Sequence, residues 1–313
     1  MKKILFIRDF RPRSNGKLRI SGGHIKVRDY YMHCLAHPQL DPYIYFTPRS
    51  EFEDNELWQD VPRDHIIQDP QSIDFDLFFF SGKDIKHLPN RKIVKGKKRI
   101  RLMQSLRSCF PEHPNYAYVV KRAYRIFVSP EIFEAGKHMP TDGEPALIPN
   151  GIPLHDFYPE EKKENSILIW AKKNVPLGMR IHERLKALNI DATLLIDYVP
   201  REEFAARLRK TDIFLTCPWE RECFHLPSIE GMASGCAVIT SDNVGNRSFC
   251  IHGETSMVTE YNRDDQYVDY VLQLMKNPEL KKAIQQNAIK KARYYSLDRE
   301  REDFYNFLAK YIL

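Results

Sequence analysis

One pattern constrains this chain more than any other. Short apolar runs alternate with polar, helix-compatible stretches, and the alternation is repeated on either side of a proline-rich connector. In the first half the runs are KKILFI, YIYFT, DLFFFS, RIRLMQS and RIFVS. After a long polar loop and Ser21-Gly22-Gly23, the segment HIKVRDYYMHCLA sets Ile25, Val27, Tyr31, Cys34 and Leu35 near helical spacing until Pro38 stops it. The connector ALIPNGIPLHDFYPEEKKENS carries Pro149, Gly151, Pro153 and Pro159, and prolines fix the backbone and remove donors. Beyond it, SILIWA, ATLLIDY, DIFLTC and AVITS read as strands. GMRIHERLKAL, PREEFAARLRK and a short stretch from Pro227 to Ser234 read as helices, and the last thirty or so residues are helical, with Tyr294, Leu297, Phe304, Phe307, Leu308 and Tyr311 as an apolar face. Strands alternating with helices predict an α/β chain with mostly parallel sheets, here two similar halves about one hinge, without a short sequence repeat.

The length, 313 residues, allows about two domains, each with its own core. No apolar run approaches the ~18–20 residues of a membrane span, and MKKILFIRDF meets Arg8 and Asp9 too soon for a signal peptide, so a cytoplasmic protein is expected. Six cysteines without a CxxC pair point to reduced thiols. The net charge is +6, and cations crowd the stretch from Lys83 to Arg125, where Arg91, Lys92, Lys95, Lys97, Lys98, Arg99, Arg101 and Arg122 contribute. Such a run either faces an anionic partner (nucleic acid, membrane surface, phosphorylated acceptor) or is a solvated face with none.

The chemistry concentrates in ECFHLPSIEG, where Glu222 and Glu230 stand eight positions apart after DIFLTC. Ligands of parallel sheets bind beyond the carboxyl ends of the strands, where loops enter helices. Pro227 suits a first helical turn and Gly235 a helix end, which places Glu222 at the mouth of the crevice and Glu230 in the first turn, deeper in. A helix start suits a phosphate, and carboxylates beside one are useful when they accept hydrogen bonds from hydroxyls. Two sugars joined by a diphosphate have that layout, as in a nucleotide-sugar. Spacing alone leaves a second reading open, in which Glu230 complements its helix dipole and Glu222 is solvated.

The stretch ECFHLPSIEGMASGCAVITSDNVGN resembles the Glu-x7-Glu signature of the retaining GT-B glycosyltransferases, the large fourth family or glycosyl transferases group 1. The Gly22-Gly23 helix start, IPNGIPLHDFYP and SILIWAKK agree in order and spacing. The resemblance implies two Rossmann-like domains facing each other across a cleft: residues 1–150 for the acceptor, joined by a returning C-terminal helix of about 294–313, and 151–293 for the donor. It makes Glu222 the acid that contacts the transferred sugar and Glu230 the one that holds the ribose. Cys223, Phe224, His225 and Leu226 would offer backbone amides, Gly22 and Gly23 would admit the diphosphate, and Val199 would lie at the base. Lys172 aligns with the family's catalytic arginine. The family's second cation is replaced by Leu177, with Lys173 as the neighbouring substitute.

The two loop glycines of the family pattern are Cys223 and His225 here, which would crowd the sugar pocket. The family's amino-terminal histidine has no match near Gln104, Ser105 and Arg107, which leaves His24, Gln104 and Arg107 as acceptor-side candidates. Asp74-Phe75-Asp76 spells a metal-binding DxD but precedes its apolar run, so it reads as the start of a strand, and neither metal nor cofactor is expected. The expected partners are a nucleotide-sugar donor and a lipid-linked or glycan acceptor. The basic run adds contact with an anionic membrane at the inner face of the plasma membrane, as in bacterial surface polysaccharide assembly. No aromatic-basic RNA motif is present and no nucleic acid is expected. The rival is a noncatalytic, basic nucleotide- or nucleic-acid-binding protein on a degenerate form of the same fold. A phosphorylase or epimerase on that fold would lack any special motif here.

Overall fold

The computed structural model describes every residue except Asn15, Gly16, Arg19, Asp54, Lys162 and Asn165, the last two within the connector. The chain divides into two compact units, Met1–Pro149 with Arg301–Leu313, and Asn150–Glu300.

The first unit holds β1 (Lys2–Arg8), the hairpin β2 (Arg13–Ser14) and β3 (Lys17–Leu18), α1 (Gly22–Leu35), β4 (Leu40–Phe46), β5 (Ile66–Ile67), β6 (Leu77–Ser81), β7 (Lys98–Met103), α2 (Tyr116–Val119), β8 (Tyr124–Phe127), α3 (Pro130–Gly136) and β9 (Ala146–Leu147). Its sheet runs β5-β4-β1-β6-β7-β8-β9, every pair parallel. LFFFS of β6 is buried at all five positions because both faces of a parallel sheet are covered. Phe6 stacks on Phe79 at 4.6 Å, and Phe304 meets Tyr30 edge-on at 4.9 Å, which ties the carboxyl-terminal segment into this core.

Helix α1 is buried over more of its surface than its apolar spacing predicts. Lys26 and Asp29, both buried, neutralise each other at 2.8 Å, while Ile25 and Leu35 are only half-buried. The basic run is likewise thinned. Arg101 lies 1% exposed with its guanidinium 4.3 Å from the Phe80 ring and a bond to the Gly82 carbonyl, and burial pushes its pKa down to about 9. Arg125, fully buried, donates to the carbonyls of Pro140 and Lys121. Lys97 pairs with Asp74, and Arg122 with Asp142. Two members of the expected patch are therefore core residues, and two more are already neutralised.

The second unit holds β10 (Ile167–Trp170), α4 (Val175–Ala187), β11 (Thr193–Leu195), α5 (Arg201–Lys210), β12 (Ile213–Thr216), α6 (Leu226–Ala233), β13 (Ala237–Ser241), β14 (Met257–Thr259), α7 (Asp264–Lys276) and α8 (Pro278–Arg293). Then α9 (Leu297–Tyr311) begins in this unit and ends in the first. Its parallel sheet is ordered β11-β10-β12-β13-β14. The predicted apolar face of the last helix holds at Phe304, Phe307 and Leu308. Tyr294 instead caps α8, 56% exposed, with the Arg299 guanidinium 4.6 Å from its ring. The connector is pinned within this unit: a Cβ on Gly151 would lie 2.3 Å from the Ser296 carbonyl oxygen, and its N–H donates to Glu300.

In both sheets the strand order reverses beside the first strand, between β1 and β6 and between β10 and β12. Such switch points open crevices at the carboxyl ends of the strands. Among the described residues no helix is long and apolar enough to cross a membrane.

Candidate functional site

In the second unit the loops at the switch point carry the candidate residues. β10 leads into Lys172 and Lys173, and β12 into Trp219 and Glu222. Asn174 caps α4 by accepting from the Leu177 N–H, and Leu177 itself is fully buried in the apolar core of this unit. Gly178 brings α4 close: an added Cβ would stand 2.1 Å from the Ala171 Cβ, beside the two lysines.

Lys173, rather than Lys172, meets the glutamate. Its ammonium lies 2.6 Å from Glu222 Oε2, while the Lys172 ammonium sits 4.9 Å over the Tyr198 ring. The Glu222 side chain is 10% exposed, and its buried Oε1 has no hydrogen-bond partner among the described residues. A carboxylate oxygen in that state is an acceptor awaiting a donor, because burying a polar atom unpaired costs about 1–3 kcal/mol.

Glu230 is 2% exposed. It lies one turn into α6 rather than in the first turn, because the helix begins at Leu226 with Pro227 in its opening turn. Arg201, unforeseen from sequence, places Nη2 2.8 Å from Glu230 Oε1, yet that oxygen makes no aligned hydrogen bond. The two form an ion pair, with the guanidinium also 5.0 Å from the Phe157 ring. Arg201 opens α5 directly after Val199 and Pro200, so the proposed base and ribose positions converge there.

The Cys223–Leu226 loop departs from expectation in two ways. The His225 N–H donates to the Gly245 carbonyl and the Leu226 N–H to the Phe224 carbonyl, so neither is offered to a ligand. The His225 ring does not crowd a pocket either. It is 1% exposed and turned inward, with Nδ1 2.7 Å from Ser228 Oγ. Phe224 also turns inward, packing on Phe249 and Tyr295. Below the loop, Ser228, Thr216 and Thr240 continue a buried polar chain, and Asn246 donates to the Ser241 carbonyl. Gly245 supports the loop from beneath, since an added Cβ would stand 2.5 Å from Phe224 N.

In the first unit, Gly23 and Gln104 meet: the Gln104 amide donates to the Gly23 carbonyl at 3.4 Å and to Ser81 Oγ at 2.9 Å. His24 is not available as a general acid or base. Arg8 donates to its Nδ1 and pairs with Asp84 at 2.7 Å. Burial, then Arg8, pushes the His24 pKa down to about 3. Arg107 is exposed on the short helical turn Leu106–Cys109. Burial tends to raise the Asp9 carboxyl, yet the Thr47 hydroxyl, His87, Arg11 and Arg49 hold it below its usual value. Asp76 accepts from the Lys3 N–H at the start of β6, and Asp74 is exposed. Among the described residues no three His, Cys, Asp or Glu side chains gather as a metal-ligand set.

The buried histidines give acid sensitivity a sign. His225 is held well below its ordinary value by burial and by Lys173, as His24 is by burial and Arg8. Below an unfolded value of about 6.5 the unfolded chain binds protons that the native chain refuses, so their contribution is complete above that pH and lost as pH falls. Asp84, whose carboxyl is raised by burial, acts with the opposite sign. The melting temperature is expected to fall from pH 7.5 to 5.5 in a thermal melt. A flat or rising trend would contradict it.

Residues 178–291 match the family model of Glycosyl transferases group 1. This stretch runs from within α4 through most of α8 and includes both glutamates. No curated protein matches the chain. The GT-B fold is shared with solved glycosyltransferases. Sucrose-phosphate synthase from Thermosynechococcus elongatus aligns at 14% identity over 99% of each chain with a TM-score of 0.73. Anabaena HepE in complex with UDP-glucose aligns at 13% identity over 99% of this chain and 100% of that one, with a TM-score of 0.74. A glycosyltransferase from Rickettsia africae aligns at 14% identity over 99% and 98%, with a TM-score of 0.67.

Proposed function

We propose that this chain transfers a sugar from a nucleotide-sugar to an acceptor hydroxyl, holding the donor in its second unit. One observation carries the reading: two almost fully buried carboxylates, Glu222 and Glu230, flank the start of a helix at a sheet switch point, each with an oxygen that makes no hydrogen bond among the described residues. Glu222 accepts from hydroxyls of the transferred sugar, and Glu230 from the ribose, sharing Arg201. The diphosphate lies toward the amino end of α6, where the helix dipole favours negative charge. As the glycosidic bond breaks, that charge grows, and Lys172 and Lys173 stabilise it more than they stabilise the bound donor. The ammoniums and the helix dipole do this without a metal ion.

The first unit, with Gln104 and Arg107, takes the acceptor side. Retention of configuration, with the leaving phosphate accepting the acceptor's proton, rests on the resemblance alone. The cations left exposed after Arg101 and Arg125 are withdrawn, among them Arg91, Lys92, Lys95 and Lys121, support a lipid-linked or otherwise anionic acceptor, as in bacterial surface polysaccharide assembly.

A thermal-shift screen of UDP, GDP, ADP and their hexose forms, with and without EDTA, tests the reading. At least one diphosphate and its sugar form are expected to raise the melting temperature, since a ligand that binds only the native state stabilises it by mass action. EDTA is expected to change nothing. Stabilisation by none of them would refute the reading. Nucleotide binding without turnover of any donor would favour the noncatalytic rival.

A further inference from the structure

Trp219 stands apart from the other two tryptophans. Trp58 is buried and Trp170 half-buried, whereas Trp219 is 55% exposed, in the loop between β12 and Glu222. Exposing so much indole is costly: each Å² of apolar surface left in water forgoes about 25 cal/mol. The side chain is nevertheless held in place. Its Nε1–H donates to the Lys173 carbonyl at 2.7 Å, and the Lys173 ammonium lies 5.7 Å from its ring centroid. That same ammonium is 2.6 Å from Glu222 Oε2, so one cation links the aromatic ring to the carboxylate with the unsatisfied Oε1.

Resting on the function proposed above, we infer that the open face of Trp219 is a platform for the sugar ring of the donor, and so helps to determine which sugar is accepted. Three features point to a carbohydrate. An aromatic face carries negative charge and attracts the weakly positive C–H bonds on one face of a pyranose. A buried carboxylate oxygen needs a hydroxyl donor, and hydroxyls line the rim of the same ring. The anionic diphosphate would be repelled by Glu222, which leaves the sugar as the part of the donor that belongs beside it. The indole is already immobilised by its N–H bond, so little side-chain entropy remains to be lost on binding. A hexose with a continuous C–H face should bind better than one with an axial hydroxyl projecting into that face.

The experiment compares wild type, Trp219→Ala and Trp219→Phe by titration calorimetry with UDP and GDP, and with their glucose, galactose, mannose and N-acetylglucosamine forms. In wild type the preferred sugar form is expected to bind more tightly than the bare diphosphate. Trp219→Ala should lose about tenfold in affinity for the sugar form while the bare diphosphate binds within about twofold of wild type, which also certifies the fold. Trp219→Phe, keeping a ring without the N–H anchor, should fall between the two. Equal affinity for the sugar form in wild type and Trp219→Ala would overturn the inference and leave the proposed function standing. So would an effect confined to the KM for the acceptor. Failure of wild type to bind any diphosphate would remove the function first, and the platform with it.

Discussion

Glu222→Gln is expected to lower turnover by at least about a hundredfold, the scale on which a single preorganised polar contact acts in a transition state. The substitution keeps the shape of the side chain and removes its charge. Glutamine offers one carbonyl oxygen in place of two carboxylate oxygens, so hydroxyls of the transferred sugar lose an ionic acceptor. Lys173, released from its 2.6 Å partner, is left to interact with the diphosphate alone, and bare diphosphate should bind as well as before or better. The Glu222 side chain is 10% exposed but that of Lys173 is 32% exposed and can reach water, so breaking the pair should cost about 1–3 kcal/mol of stability. Steady-state kinetics with the donor found by the screen, together with a urea melt, separates the two effects. A kcat within tenfold of wild type would show that Glu222 makes no contact special to the reaction.

Gly245→Val should have the largest structural effect near the site. A Cβ there would lie 2.5 Å from Cys223 C, 2.5 Å from Phe224 N and 2.8 Å from the Glu222 carbonyl oxygen, all of them backbone atoms that no rotamer change can move aside. The loop must shift, and the bond from the His225 N–H to the Gly245 carbonyl, 3.1 Å, goes with it. Overpacking of this kind costs about 1–3 kcal/mol, to which the broken polar contacts add. Donor affinity should fall with stability, because Glu222 rides on the displaced segment. Gly23→Ala is the contrast: the nearest atoms to its added Cβ are 3.7 Å away, an ordinary contact, and stability should hold. Gly245→Val melting within about 0.5 kcal/mol of wild type would contradict the packing argument.

The sheets were legible in the sequence because a strand covered on both faces must be a nearly unbroken apolar run, as in DLFFFS and DIFLTC. The short edge strands β5, β9 and β14 escaped, being two or three residues long and partly exposed. Helix α1 was legible in position but not in burial, because an apolar-spacing rule has no place for Lys26 and Asp29 buried together. The same rule treats every arginine as surface, which put Arg101 and Arg125 in a patch when they are core residues hydrogen-bonded to carbonyls. At the site, spacing and resemblance brought out the two glutamates and the lysine pair. They could not say which lysine reaches Glu222, since adjacent residues leaving a strand point in different directions. Arg201 and Trp219 carried no signal beyond being one arginine and one tryptophan. Gly245 lay within the quoted signature, and its need for close approach emerges only once the loop above it is placed.

The claim beneath all of this is that two buried carboxylates, one in the loop after β12 and one on α6, grip the two carbohydrate ends of one activated donor. Titration of wild type and Glu230→Gln with the nucleoside diphosphate, and with the corresponding 2′,3′-dideoxynucleoside diphosphate, tests it most directly. The account predicts that wild type favours the diphosphate bearing ribose hydroxyls by tenfold or more, and that Glu230→Gln loses most of that preference. Equal affinities of the two proteins for both ligands would contradict it.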